Sequence, residues 1–257
     1  MTEREDVRKE VAIANRVLTA VGLADGPTIS LGHVSMRLPG EPDKFYVKGR
    51  GYAIDALPRM RPEDMILCDL EGNKLDGPPN STQCYEVKIH SCIYKARPDV
   101  QSVVHVHPQF IVLMSILGAP IRVMAGGQGM NILKKPINTM HKYKIIQSEE
   151  EGQQVAEILG ENNAMLLLGH GVVVAGTSPS DVVVGTYGLE EQAKMNYYAY
   201  SAAGPNYPTV PQDLVDEAMY RTIPFSELPH FQGQGAEQHR TGNAVFDHYA
   251  EIVSRDL

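Results

Sequence analysis

The chain has 257 residues, 43% of them hydrophobic, 21% charged and 7% aromatic, a composition that excludes disordered, collagen-like and disulfide-stapled classes. A chain of this length buries roughly 70–75% of the surface its unfolded form exposes, so its core needs no metal or disulfide, and any metal it holds serves function. Its 31 acidic against 23 basic residues give a formal charge of -8, a field that repels phosphate backbones and anionic lipid, so neither nucleic acid nor a membrane surface is an expected partner.

The charged N-terminus lacks the apolar stretch of a signal peptide, and no apolar run approaches a membrane span, so a cytoplasmic location is expected. Thr2 and Glu5 stand in capping-box spacing before apolar residues at helical intervals (Val7, Val11, Ala14, Leu18, Val21), which predicts a helix over about 3–22. Short apolar runs at 29–38, 44–48 and 65–69, separated by Pro- and Gly-rich turns, predict an antiparallel meander. Helical periodicity returns over 81–96 and stops at Pro98; a strand is predicted over 100–107, and a helix opens at Pro108 and runs through Leu117. Ser148 and Glu151 form a second capping box ahead of a helix to Leu159. Two strands, 164–168 and 172–175, flank Gly169-His170-Gly171, and a long helix covers about 179–202. Gly126-Gly-Gln-Gly129 has neither the spacing of a dinucleotide fingerprint nor that of a phosphate loop. Residues 1–205 read as one catalytic domain and 206–257 as a tail, with helices near 212–221 and 244–254, packed on that domain or on a neighbouring subunit. Cys68, Cys84 and Cys92 are odd in number and form no CxxC pair, so no disulfide is expected.

Three places carry candidate chemistry. His105-Val106-His107 ends an apolar strand; residues i and i+2 share a side, with Cα atoms about 6.6–6.8 Å apart, so both imidazoles can reach one ion. His170 sits between two glycines inside an otherwise apolar stretch, a placement that costs backbone entropy and breaks a good strand. Glu86 precedes His90 by four residues on the predicted helix, so both project from one face, and His90 reads as a supporting or core residue.

This ordered set, Glu86, then His105-Val-His107-Pro108, then Gly169-His170-Gly171, resembles the class II aldolase/adducin family over about residues 5–205. The resemblance implies an α/β fold of three layers, α/β/α, around a mostly antiparallel sheet, and a homotetramer with sites at subunit interfaces. It implies that His105, His107 and His170 bind a divalent metal ion, with Glu86 as the catalytic acid/base. Such a donor set admits zinc, manganese, iron or cobalt, with manganese or zinc expected. Adducin-like members lack these histidines, so an enzyme is favoured over a scaffold. Where sugar-phosphate members of the family carry small phosphate-cradling groups, this chain has His33, Lys48 and Arg50, and Cys84-Tyr85 stands before Glu86. A guanidinium fork suits a carboxylate, so His33, Lys48 and Arg50 are the expected substrate-binding residues. The chain accordingly resembles the branch that decarboxylates hydroxylated aromatic acids, which implies an ortho-hydroxy aromatic or pyridine dicarboxylate substrate such as 3-hydroxy-2-methylpyridine-4,5-dicarboxylate. The alternative is a sugar-phosphate aldolase or epimerase of the fuculose-phosphate aldolase type.

Overall fold

A computed structural model describes residues 3–127, 132–220, 227–233 and 243–257. Strands β1 (His33–Leu38), β2 (Glu41–Arg50), β3 (Met65–Asp69) and β4 (Lys74–Asp76) form the expected meander, joined at its first turn by Gly40, whose φ of 73° lies in the left-handed region open to glycine. Further along are β5 (Thr82–Gln83), β6 (Ser102–Val106), β7 (Asn138–Met140), β8 (Ala164–Leu167) and β9 (Gly171–Gly176). The sheet runs in the order β4-β3-β2-β1-β6-β9-β8-β7, with β5 paired to β2 beside it. Every pairing among the described residues is antiparallel except β7 with β8.

The helices α1 (Glu3–Ala20), α2 (Val87–Ala96), α3 (Gln109–Leu117), α4 (Glu149–Leu159), α5 (Pro179–Ala203), α6 (Gln212–Met219) and α7 (Ala244–Val253) complete the fold. Strand alternation divides the apolar core between the two faces of the sheet. Val34, Val104, Val106, Leu166, Val172 and Val174 pack with α1, α3, α5 and α7, whereas Val103, Met165, Leu167, Val173 and Ala175 pack with α2 and α4. This is the expected three-layer α/β/α arrangement with a mostly antiparallel centre. Each fully buried aliphatic side chain stabilises it by about 1.5–3 kcal/mol before conformational entropy is charged. Helix α7 lies on α1: Phe246 joins the core, and the Arg16 guanidinium donates to the Val253 carbonyl at 2.7 Å and pairs with Asp256.

Several boundaries differ from the sequence expectation. Helix α2 begins at Val87, not near 81, because Thr82 and Gln83 pair with Arg50 and Gly49 of β2. Glu86 is therefore the residue before the helix (φ -103°, ψ 32°), not a member of a helical face shared with His90. Residues 29–32 are not strand, since a 3-10 turn at Gly26–Thr28 delays β1 to His33. Pro108 is extended and caps α3 from outside. Ser148 does accept the Glu151 N–H, while the Glu151 carboxylate accepts the Ser148 N–H. Thr2, the 128–129 half of the glycine-rich loop and Arg221 lie outside the described residues. The three cysteines are buried and free.

Candidate metal centre

Strand β6 is flanked by β1 and β9, and one lateral row places His33 opposite His105 and His105 opposite Val173. His105 consequently faces the α2 side of the sheet, and its Nδ1 stands 3.0 Å from the Val172 carbonyl. A carbonyl can only accept, so Nδ1 carries the proton and Nε2 keeps a lone pair. His107, one residue past the strand end, brings its Nε2 to 3.0 Å from that of His105. His170 enters from the β8–β9 turn, its ring 4.9 Å between centroids from each of the other two. The two glycines beside it have separate reasons. Gly169 adopts φ 63°, and a Cβ on Gly171 would lie 2.2 Å from the Val106 carbonyl oxygen and 2.8 Å from His107 Cδ2.

Glu86 closes the group. Its Oε1 accepts the Ile146 N–H at 2.9 Å, which leaves Oε2 facing His105 Nε2 at 3.3 Å and His170 Nε2 at 3.6 Å. One donor atom from each of Glu86, His105, His107 and His170 lies within 4.8 Å of the others. Burial alone would raise the Glu86 carboxyl, but the imidazoles around it, His105 first and then His170 and His33, outweigh it and hold the group well below the usual carboxylate range. His107 is held down to about 3, by burial first and then by His105 and His170. Neutral imidazoles and an ionised carboxylate are the protonation states in which such groups bind a metal. Four donor atoms this close together would repel one another once the imidazoles are neutral and the carboxylate ionised, and a divalent cation would relieve that repulsion; the donor set fits one. His170 Nδ1 is buried without a hydrogen-bond partner, a deficit of about 1–3 kcal/mol.

Behind the centre runs a buried chain of polar groups. His33 Nδ1 meets His90 Nε2 at 2.6 Å, His90 Nδ1 meets Ser35 Oγ at 2.7 Å, and Ser35 Oγ meets Tyr94 OH at 2.7 Å. Burial, then His90 and His105, push His33 well below the ordinary histidine value, and burial, then His105, bring His90 down to about 3. His33 therefore stands at the site as a neutral imidazole, and its part in binding a substrate would be that of a hydrogen-bonding group.

A cavity of about 470 Å³ opens beside the four residues, and His33, Arg50, Glu86, His107 and His170 line it. This is the size range of small-molecule sites. Lys48 is not among the lining residues. It is 1% exposed, and its ammonium is committed to Asp55 at 2.7 Å, while the other Asp55 oxygen meets Arg50 Nε at 3.2 Å. The fork of Arg50 lies over the Tyr85 ring at 4.8 Å. Asp55, Tyr85 and the Tyr143-Lys144-Ile145 stretch of the cavity wall are functional candidates that sequence reasoning missed. Asp55 sits in an irregular loop with no motif around it. Tyr85 looked like part of a helical stripe, yet it is exposed.

These observations agree with comparisons to known proteins. A 3,4-dihydroxyphthalate decarboxylase of Arthrobacter keyseri is 29% identical over 234 residues, covering 88% of this chain and 87% of the relative. An L-fuculose phosphate aldolase of Methanococcus maripaludis is 28% identical over 166 residues, covering 65% of this chain and 84% of the relative. The solved structure of an L-fuculose 1-phosphate aldolase from Glaciozyma antarctica superposes with a TM-score of 0.74 at 21% identity, over 98% of this chain and 89% of that one, a likeness of fold. The profile of the Class II Aldolase and Adducin N-terminal domain matches residues 9–197, a span that takes in the whole cluster of histidines and its glutamate, and the chain belongs to that family.

Proposed function

We propose that the protein is a divalent-metal-dependent carbon–carbon lyase that removes carbon dioxide from an ortho-hydroxy aromatic or pyridine dicarboxylate. The observation that carries this reading is the cleft itself: Arg50 lines the same cavity as Glu86, His107 and His170, three of the four members of the donor cluster. Decarboxylase relatives that match most of the chain support it and, of the benzene and pyridine rings expected, favour a dihydroxyphthalate-like benzene ring.

In this reading His105, His107 and His170 hold the ion, manganese or zinc, with Glu86 within reach of it. The bound metal supplies Lewis acidity worth several kcal/mol toward a substrate oxygen as carbon–carbon cleavage pushes electrons there. Glu86, anchored through Oε1, uses Oε2 to take the proton of the ring hydroxyl and deliver it to the ring carbon that loses its carboxylate, and the ring oxide left behind takes its proton from water, since decarboxylation consumes one proton overall. Arg50 binds the second carboxylate, away from the bond that breaks. Lys48 contributes indirectly, since Asp55 bridges it to Arg50 and fixes the fork from behind.

Carbon dioxide release from a panel of hydroxylated aromatic dicarboxylates tests the reading. Arg50→Ala should weaken a dicarboxylate by about 1.5–3 kcal/mol, the value of a lost charged hydrogen bond, and a monocarboxylate analogue far less. Equal losses on both would remove Arg50 from the clamp role. Cleavage of fuculose or ribulose phosphate in preference to any aromatic acid would favour the alternative, an aldolase or epimerase. The fuculose phosphate aldolase relative supports that alternative, and the charged fork where a small-residue phosphate cradle would stand opposes it.

Residues 1–205 form the catalytic unit in this reading, and 206–257 a tail packed on it or on a neighbouring subunit, with α7 lying on α1. No helix among the described residues is long and apolar enough to cross a membrane, in keeping with a cytoplasmic enzyme. The cavity rim exposes Tyr85 (65%), Tyr143 (81%) and Ile145 (56%), an apolar edge suited to cover by a second copy. We therefore expect a homotetramer; a monomer that turns over substrate at full rate in sedimentation-defined conditions would contradict this.

A further inference from the structure

We infer that Glu190, on the middle of α5, is a positioning residue that fixes the backbone carrying His107. The inference rests on reading the histidine cluster as a metal centre. The neighbours of His107 in that centre are held by fixed groups: His105 has ladder partners on both sides and the Val172 carbonyl on its Nδ1, and Glu86 is held by the Ile146 N–H. His107 lies beyond the last residue of β6, and Pro108, which follows it, has no N–H to donate. The next backbone donors bound after that proline are those of Phe110 and Ile111, and Glu190 accepts both, one on each carboxylate oxygen at 2.9 Å.

Pro108 supplies no side-chain cap to α3, so the orphan N–H groups of the first turn are satisfied by a carboxylate about 80 residues away in sequence. Two bonds from one rigid group set the direction in which α3 starts, and with it the position of the two residues that precede the helix. Glu190 is 9% exposed, and burial pushes its carboxyl up to about 7 despite both N–H bonds. A long apolar residue would fill this space without that desolvation cost, but it would leave Phe110 and Ile111 N–H unsatisfied and α3 free to tilt. His107 and Glu190 also line one further cavity, of about 620 Å³, on the α5 side of the centre; a shift of α3 therefore has space to carry His107 away from His105 and His170.

The test uses the full chain loaded with Co²⁺ at pH 8, where the Glu190 carboxyl is ionised. Glu190→Gln, which keeps the shape but has one acceptor oxygen in place of two, should shift the visible cobalt bands and raise the Co²⁺ dissociation constant about tenfold, the lower end of what supporting groups contribute to metal sites. Met114→Ala, a cavity in the buried face of α3 away from the cap, should lower the melting temperature while leaving bands and affinity as in the wild type. Should Glu190→Gln not fold, Glu190→Asp carries the same readout, because its shorter arm pulls the first turn toward α5. Wild-type bands and affinity in the Glu190 variant, or the same shift in Met114→Ala, would overturn the inference. A wild-type protein that binds no Co²⁺ overturns the metal-centre reading with it. One that binds Co²⁺ and shows the Glu190 shift, yet releases no carbon dioxide, supports the inference and overturns the substrate reading alone.

Discussion

Alanine at His105, His107 or His170 is expected to remove the bound divalent ion and turnover together while the protein stays folded. Each histidine would donate one nitrogen to the proposed centre, which has few donors, so its loss should weaken metal binding by more than the roughly 10–100-fold that supporting residues typically contribute. The fold should survive because the apolar clusters on the two faces of the sheet are built from other residues. The three variants should differ in stability. His105→Ala removes the Nδ1–H bond to the Val172 carbonyl, which keeps its place in the sheet ladder, a loss of about 0.5–1.5 kcal/mol. His170, whose Nδ1 already lacks a partner, should cost least. Metal analysis of the purified variants beside thermal melts checks both parts; stoichiometric metal in all three would rule out the assignment.

Glu86→Gln should depress turnover by about 10²–10⁴-fold, the usual contribution of a positioned proton carrier, with the fold and part of the metal retained. The amide oxygen can still accept the Ile146 N–H, so the side chain keeps its place. The group facing His105 and His170 becomes an –NH₂, which neither ligates a cation nor exchanges a proton at neutral pH. Measuring kcat at saturating metal separates this from simple metal loss. An undiminished kcat would exclude Glu86 as the proton carrier.

Most of this architecture was legible because its signals are local. The period of two around His105 placed it at a strand end, Ser148 with Glu151 started α4, and Pro179 and Gly204 bound α5 on either side. The family resemblance then joined Glu86 to the three histidines, a union that spacing alone left open. What escaped was set by partners distant in sequence. The helical period from 81 to 96 could not reveal that Thr82 and Gln83 are claimed by β2. The charge of Lys48 suggested anion binding, but Asp55, in a loop with no pattern of its own, consumes it. Nothing local to His33 announces the buried His90 against its Nδ1. Burial and pairing by remote elements decide protonation, and a linear reading has little access to either.

The lateral row from β1 through His105 to β9 also bears on how the protein matures. His105 meets the Val172 carbonyl across 67 residues of chain, and His33 meets His90 across 57. Contacts of such long sequence separation form slowly, after much loop-closure entropy has been spent. A slip of one residue in β6 would turn His105 toward the α1–α5 layer and an aliphatic valine toward the centre. The proposed donor set is therefore complete only once the middle of the sheet has locked in register. If the proposed centre binds an ion, its uptake during refolding should trail sheet formation, so that the ion would inspect the finished fold in place of templating it.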